Sequence, residues 1–100
     1  MNKNLILTGM MGVGKSTIGR LIAKRLKVKF IDVDKVIEKK EKISIKKIFE
    51  YRGEKYFRKI EEKITFKVLK NKNAVIALGG GAFMNDEIRE KVLNSCISVW

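Results

Sequence analysis

One hundred residues suffice for a single small domain and little more. A chain that is 45% hydrophobic is not a disordered polyelectrolyte despite its formal net charge of +12, because disorder needs low hydrophobicity as well as charge. One cysteine, Cys96, and no histidine exclude a disulfide framework, thiolate or imidazole metal clusters, and histidine-based catalysis.

The elements follow in order. Asn4 to Thr8 is a short apolar run ending at Gly9 and reads as a buried strand. Ser16 to Leu26 is periodic, with Ile18, Leu21, Ile22 and Leu26 predicted on the buried face of a helix. Val28 to Val33 is a second strand, and a helix over Lys35 to Lys42 with Val36 and Ile37 inward follows it. Ser44 suits the N-cap of a helix over Ile45 to Tyr51, which Gly53 ends. From Glu54 to about Lys70, Phe57, Ile60, Ile64 and Val68 form a helical stripe. Ala74 to Leu78 is a third buried strand, closed by Gly79-Gly80-Gly81. Asn85 suits the cap of a helix through Ile88 and Val92 to Leu93, and Cys96 to Trp100 opens a fourth strand. Such alternation predicts βαβ units and a mostly parallel sheet covered on both faces.

No apolar run approaches membrane-spanning length, and Leu5-Ile6-Leu7 is too short for a secretion signal. The expected compartment is a reducing cytoplasm. The basic residues are dispersed from Lys3 to Lys91 without interleaved aromatics, so they are expected to coat solvent faces rather than bind nucleic acid or a membrane.

Gly9-Met10-Met11-Gly12-Val13-Gly14-Lys15-Ser16 fits G-x-x-x-x-G-K-[ST] between a strand and a helix. Glycines let such a loop turn its N–H groups inward onto phosphate oxygens, and the helix N-terminus adds its positive dipole end. Lys15 offers a mobile cation to the β- and γ-phosphates, the Ser16 hydroxyl a ligand to Mg²⁺, and Thr17 a hydroxyl to the α-phosphate. The spacing and context make this the most specific signal in the chain.

Asp32 and Asp34 stand at the carboxyl end of the second strand, where open α/β sheets bind ligands. One carboxylate can serve the metal shell and the other accept a proton from, or position, an attacking hydroxyl; alternatively Asp34 caps the next helix. Arg58 has Glu54 and Glu61 on its helical face, either as a surface ion-pair cluster or as a guanidinium held for a substrate carboxylate. Gly79-Gly80-Gly81 allows a ligand to approach the backbone closely.

Gly9 to Thr17, then Phe30-Ile31-Asp32-Val33-Asp34, then Gly-Glu-x-x-Phe-Arg-x-x-Glu over 53–61, then Ala77-Leu78-Gly79-Gly80-Gly81 together resemble shikimate kinase. The resemblance implies a P-loop NTPase fold, a three-layer α/β/α arrangement with strand order 2-3-1-4-5, over one kinase domain spanning 1–100 and incomplete at its C-terminus. It implies Mg-ATP-dependent phosphorylation of the shikimate 3-hydroxyl, in the biosynthesis of chorismate and the aromatic amino acids, by a protein that is monomeric when complete. On these positions Gly12, Val13, Gly14, Lys15, Ser16 and Thr17 would bind the nucleotide, and Ser16 and, through water, Asp32 would hold the metal. Asp34 would bind the substrate hydroxyls where a base is needed, with Lys15 the other catalytic group. Arg58 would grip the substrate carboxylate, and Gly79, Gly80 and Gly81 would line the substrate site.

Family members continue into a mobile lid with arginines and a fifth strand, which lie beyond Trp100. Arginine assistance is worth about 10³–10⁵ in phosphoryl transfer, so a non-catalytic nucleotide-binding module is the alternative reading for these residues. The hundred residues alone are expected to be a poor kinase. Shikimate-dependent ADP release by them at an ordinary kinase rate would contradict that.

Overall fold

A computed structural model describes residues 4–7, 13–79, 82 and 85–99, with backbone alone for 13–16 and 93–99. Among these, four parallel strands, β1 (Asn4–Leu7), β2 (Lys29–Asp32), β3 (Ala74–Ala77) and β4 (Cys96–Val99), form a sheet in the order β2-β3-β1-β4. Between β1 and β2 lies α1 (Val13–Leu26). Between β2 and β3 lie α2 (Val33–Glu41), α3 (Ile45–Arg52) and α4 (Glu54–Leu69), and α5 (Asp86–Ser95) leads into β4. The order is that of the first four strands of 2-3-1-4-5.

Alternation along the strands builds a core on each face of the sheet. Ile6, Ala74, Ile76 and Leu78 enter the larger core with Ile37, Ile48, Phe57, Ile64 and Ile88. Leu7 and Val75 enter the smaller one with Ala23, against half-buried Leu5, Ile22, Val28 and Phe30. Leu7 pairs with Ala77 and Val99, and Asp32 with Ala77, so the carboxyl ends of all four strands are level. Every segment leaving those ends starts from one edge of the sheet.

Polar side chains close the elements as their types predict. Ser44 Oγ accepts from the Lys47 N–H (3.3 Å), and Asn85 Oδ1 from those of Glu87 and Ile88 (2.9 and 3.1 Å). Gly53 separates α3 from α4 at φ 87°, a backbone that side-chain-bearing residues seldom adopt. Buried Asn4 ties β1 to the α4–β3 connection: its Nδ2 donates to the Asn71 carbonyl (2.7 Å) and its Oδ1 accepts from the Ala74 N–H (3.1 Å).

The structure corrects the predicted face of α1. Leu21 and Leu26 are 59% and 47% exposed, whereas Gly19 and Ala23 are buried. The helix docks through its smallest residues because the Phe30 ring occupies the space a side chain at Gly19 would need. Hydrophobic periodicity gives glycine no weight, so it placed the stripe too far round. The helix also begins at Val13 rather than Ser16. The second helix begins at Val33, not Lys35, and leaves Val36 exposed while burying Val33 and Ile37. Trp100 lies outside the described residues.

Replacing Gly19 by Ala overpacks the α1–sheet contact and is expected to lower stability by about 1–3 kcal/mol, read from urea denaturation. A variant as stable as the parent would contradict this docking.

Candidate active site

The β2–α2 junction divides the two aspartates. Asp32 is the N-cap of α2: its Oδ1 accepts from the backbone N–H groups of Asp34 (3.0 Å) and Lys35 (3.4 Å). The cap is therefore Asp32, not Asp34. Relieved of capping, Asp34 occupies the first helical turn and faces the loop after β3. A Cβ added to Gly79 would lie 2.7 Å from Asp34 Oδ1 and 3.2 Å from Glu61 Oε2, so two carboxylates meet over one glycine. Gly79 is required for this close approach.

Helix α4 supplies the opposite wall. Glu61 is 2% exposed, and its Oε1 accepts from Arg58 Nη1 at 2.8 Å. The Arg58 side chain keeps 41% of its surface exposed, and its guanidinium carbon lies 5.3 Å from the Phe57 ring centre. One turn of helix and a largely buried carboxylate thus hold a half-exposed guanidinium in place. Phe57 in turn meets Phe49 of α3 with ring centres 4.7 Å apart. Together Asp34, Ile45, Phe49, Phe57, Arg58, Glu61 and Gly79 line a cavity of about 170 Å³. It combines an apolar wall, a guanidinium and two carboxylates.

Of the sequence-predicted residues, Asp34, Arg58 and Gly79 share this cavity. Asp32 lines a separate depression with Arg20, Phe30 and Lys35. Val13, Gly14, Lys15 and Ser16 form the start of α1, described as backbone only, and Thr17 is exposed on the next turn. Gly12, Gly80 and Gly81 lie outside the described residues. Among the described residues, no cluster of three or more acidic or cysteine side chains could cage a metal, and no helix is long and apolar enough to cross a membrane.

A family model described as shikimate kinase matches residues 11–100. The chain belongs to the shikimate kinase family. It is 45% identical to the shikimate kinase of Bradyrhizobium diazoefficiens over 98% of this chain and 47% of that protein. Against that of Bacillus subtilis it is 46% identical, over 95% of this chain and 52% of the relative. The solved shikimate kinase of Acinetobacter baumannii in complex with shikimate superposes with a TM-score of 0.92 at 38% identity, covering 97% of this chain and 54% of that one. The chain spans about half the length of the curated relatives it matches.

The apolar wall of the cavity escaped the reading of the sequence. Phe57 was legible as a position of a core stripe and as part of the 53–61 motif, but not as a wall of the cavity, and Phe49 carried no signal of its own. Their meeting across Gly53 depends on the turn between two helices. Glu61 was legible as the partner of Arg58 three residues earlier, but not as a neighbour of Gly79.

Replacing Gly79 by Ala is expected to displace the Asp34 carboxylate, whose oxygen would lie 2.7 Å from the added Cβ. The Asp34 carboxyl resonance measures the effect. If it did not move, the carboxylate would not be held against this glycine.

Proposed function

We propose that the protein is an ATP-dependent kinase that phosphorylates the 3-hydroxyl of shikimate. The observation that carries this reading is the convergence of Asp34, Glu61-held Arg58 and Gly79 on one cavity, in a chain of the shikimate kinase family. Shikimate is a small carboxylic acid with several hydroxyls. Its carboxylate suits the planar donor fork of Arg58, and its ring suits the Phe49–Phe57 wall. In this reading Asp34 accepts hydrogen bonds from the hydroxyls.

In the reaction the substrate oxygen attacks the γ-phosphorus, the bond to the ADP oxygen breaks, and the hydroxyl proton passes to Asp34. The nucleotide would lie over Gly12 to Thr17, with its phosphate charge met by Lys15 and by the N–H groups at the start of α1. Ser16 and Asp32 offer only oxygen donors, which suits Mg²⁺; they would hold the ion accompanying ATP, Asp32 through water. That ion supplies neutralisation of phosphate charge. Gly80 and Gly81 would extend the backbone lining begun by Gly79. Such a protein would work in the cytoplasm, on a small-molecule substrate, in aromatic amino-acid biosynthesis.

Coupled ADP-release assays on the intact protein test this. Arg58→Ala should raise the KM for shikimate roughly 10- to 100-fold, the loss expected for a charge-assisted hydrogen bond, and leave the KM for ATP nearly unchanged. If both rose together, Arg58 would not be the carboxylate grip.

A further inference from the structure

The two walls of the cavity belong to different helices, and a second set of contacts ties those helices together on the far side. Two glutamates, Glu38 and Glu41, stand in the last turn of α2, where acidic side chains oppose the helix dipole. Each is spent on a contact outside its own helix. Lys42 ends α2 in the left-handed conformation (φ 63°), turning the chain so that Glu38 Oε2 accepts from the Ile45 N–H at 3.0 Å. Glu41 Oε1 accepts from the Tyr56 hydroxyl at 2.9 Å, across to the first turn of α4. The Arg52 guanidinium at the end of α3 lies 5.2 Å from the centre of the Tyr56 ring. The carboxylate also holds the Tyr56 hydroxyl protonated above the ordinary tyrosine range, with burial adding to the effect.

Tyr56 immediately precedes Phe57 and Arg58, and Glu41 stands at the opposite end of the helix that carries Asp34. We infer that Glu41, Tyr56 and Arg52 form a clamp that sets the Phe57–Arg58 wall against the Asp34 wall, making Tyr56 and Glu41 positioning residues for the substrate's carboxylate and hydroxyls. This inference rests on the shikimate reading of the cavity. None of the three side chains lines that cavity. Their effect is on how often both walls stand at the right separation, and it falls on shikimate rather than on the nucleotide.

The experiment uses the intact protein and its Tyr56→Phe, Glu41→Ala and Glu41→Gln variants, with Tyr51→Phe, an exposed tyrosine, as control. Tyr56→Phe and Glu41→Ala should raise the KM for shikimate roughly three- to tenfold, as loss of one partly exposed charge-assisted hydrogen bond predicts. The KM for ATP and kcat should stay within about twofold. Glu41→Gln keeps an acceptor oxygen and should recover most of the loss. Amide hydrogen exchange on the unliganded protein is the second arm. Tyr56→Phe should quicken exchange in α3 and the end of α2 and leave α1 unchanged. An unchanged shikimate KM with unchanged exchange would overturn the clamp, and equal losses for both substrates would reduce it to general stability. Wild-type protein that neither binds nor phosphorylates shikimate would overturn the substrate reading and the positioning role with it, while the exchange arm would still decide whether the helices are clamped.

Discussion

A carboxylate removed from water is costly unless charge and hydrogen bonds compensate it. Glu61 is such a group, and the candidate site is arranged around it. It sits on α4 between core positions Phe57 and Ile64, so packing fixes its backbone. One oxygen meets Arg58, and the other points toward Gly79 beside Asp34. Arg58 is thereby exposed enough to meet a ligand yet held in one place. An arginine on a free surface would spend that interaction ordering its own side chain. The glycine after β3 is the complementary constraint, since a side chain there would crowd the Asp34 carboxylate and press on that of Glu61.

The β2–α2 junction shows the same economy with two residues. Both Asp32 and Asp34 suit a helix start, and type alone does not say which caps. The backbone decides: Asp32 has extended dihedrals at the strand end, the N-cap conformation, and its side chain takes the first free N–H groups. Asp34 is then inside the first turn and directed toward the loop after β3. One residue caps the helix, and the other lines the cavity with Arg58 and Gly79.

Much of this was legible in the sequence, for reasons that separate the legible from the illegible. The strands were readable because a parallel strand buried on both faces is a short unbroken apolar run, as in Leu5-Ile6-Leu7 and Ala74 to Ala77. Ser44, Gly53 and Asn85 were readable because caps and breaks are local. Arg58 with Glu61 was readable because three residues along a helix make neighbours. The docking face of α1 was misread because the ring of Phe30, from another element, sets how close the helix lies. The Phe49–Phe57 wall and the meeting of Asp34 with Gly79 depend on chain segments eight and forty-five residues apart, and no local pattern encodes them.

Register brings these separate pieces to one place. Leu7, Asp32 and Ala77 end their strands at one level, so the chain leaves all three from a single edge of the sheet. Parallel pairing sets that common level with backbone hydrogen bonds. Shifting β3 by one residue against β1 would exchange the faces of Val75 and Ile76 and bury the wrong side chains in both cores. The two cores therefore lock the register, and the register keeps the carboxyl ends of the strands level.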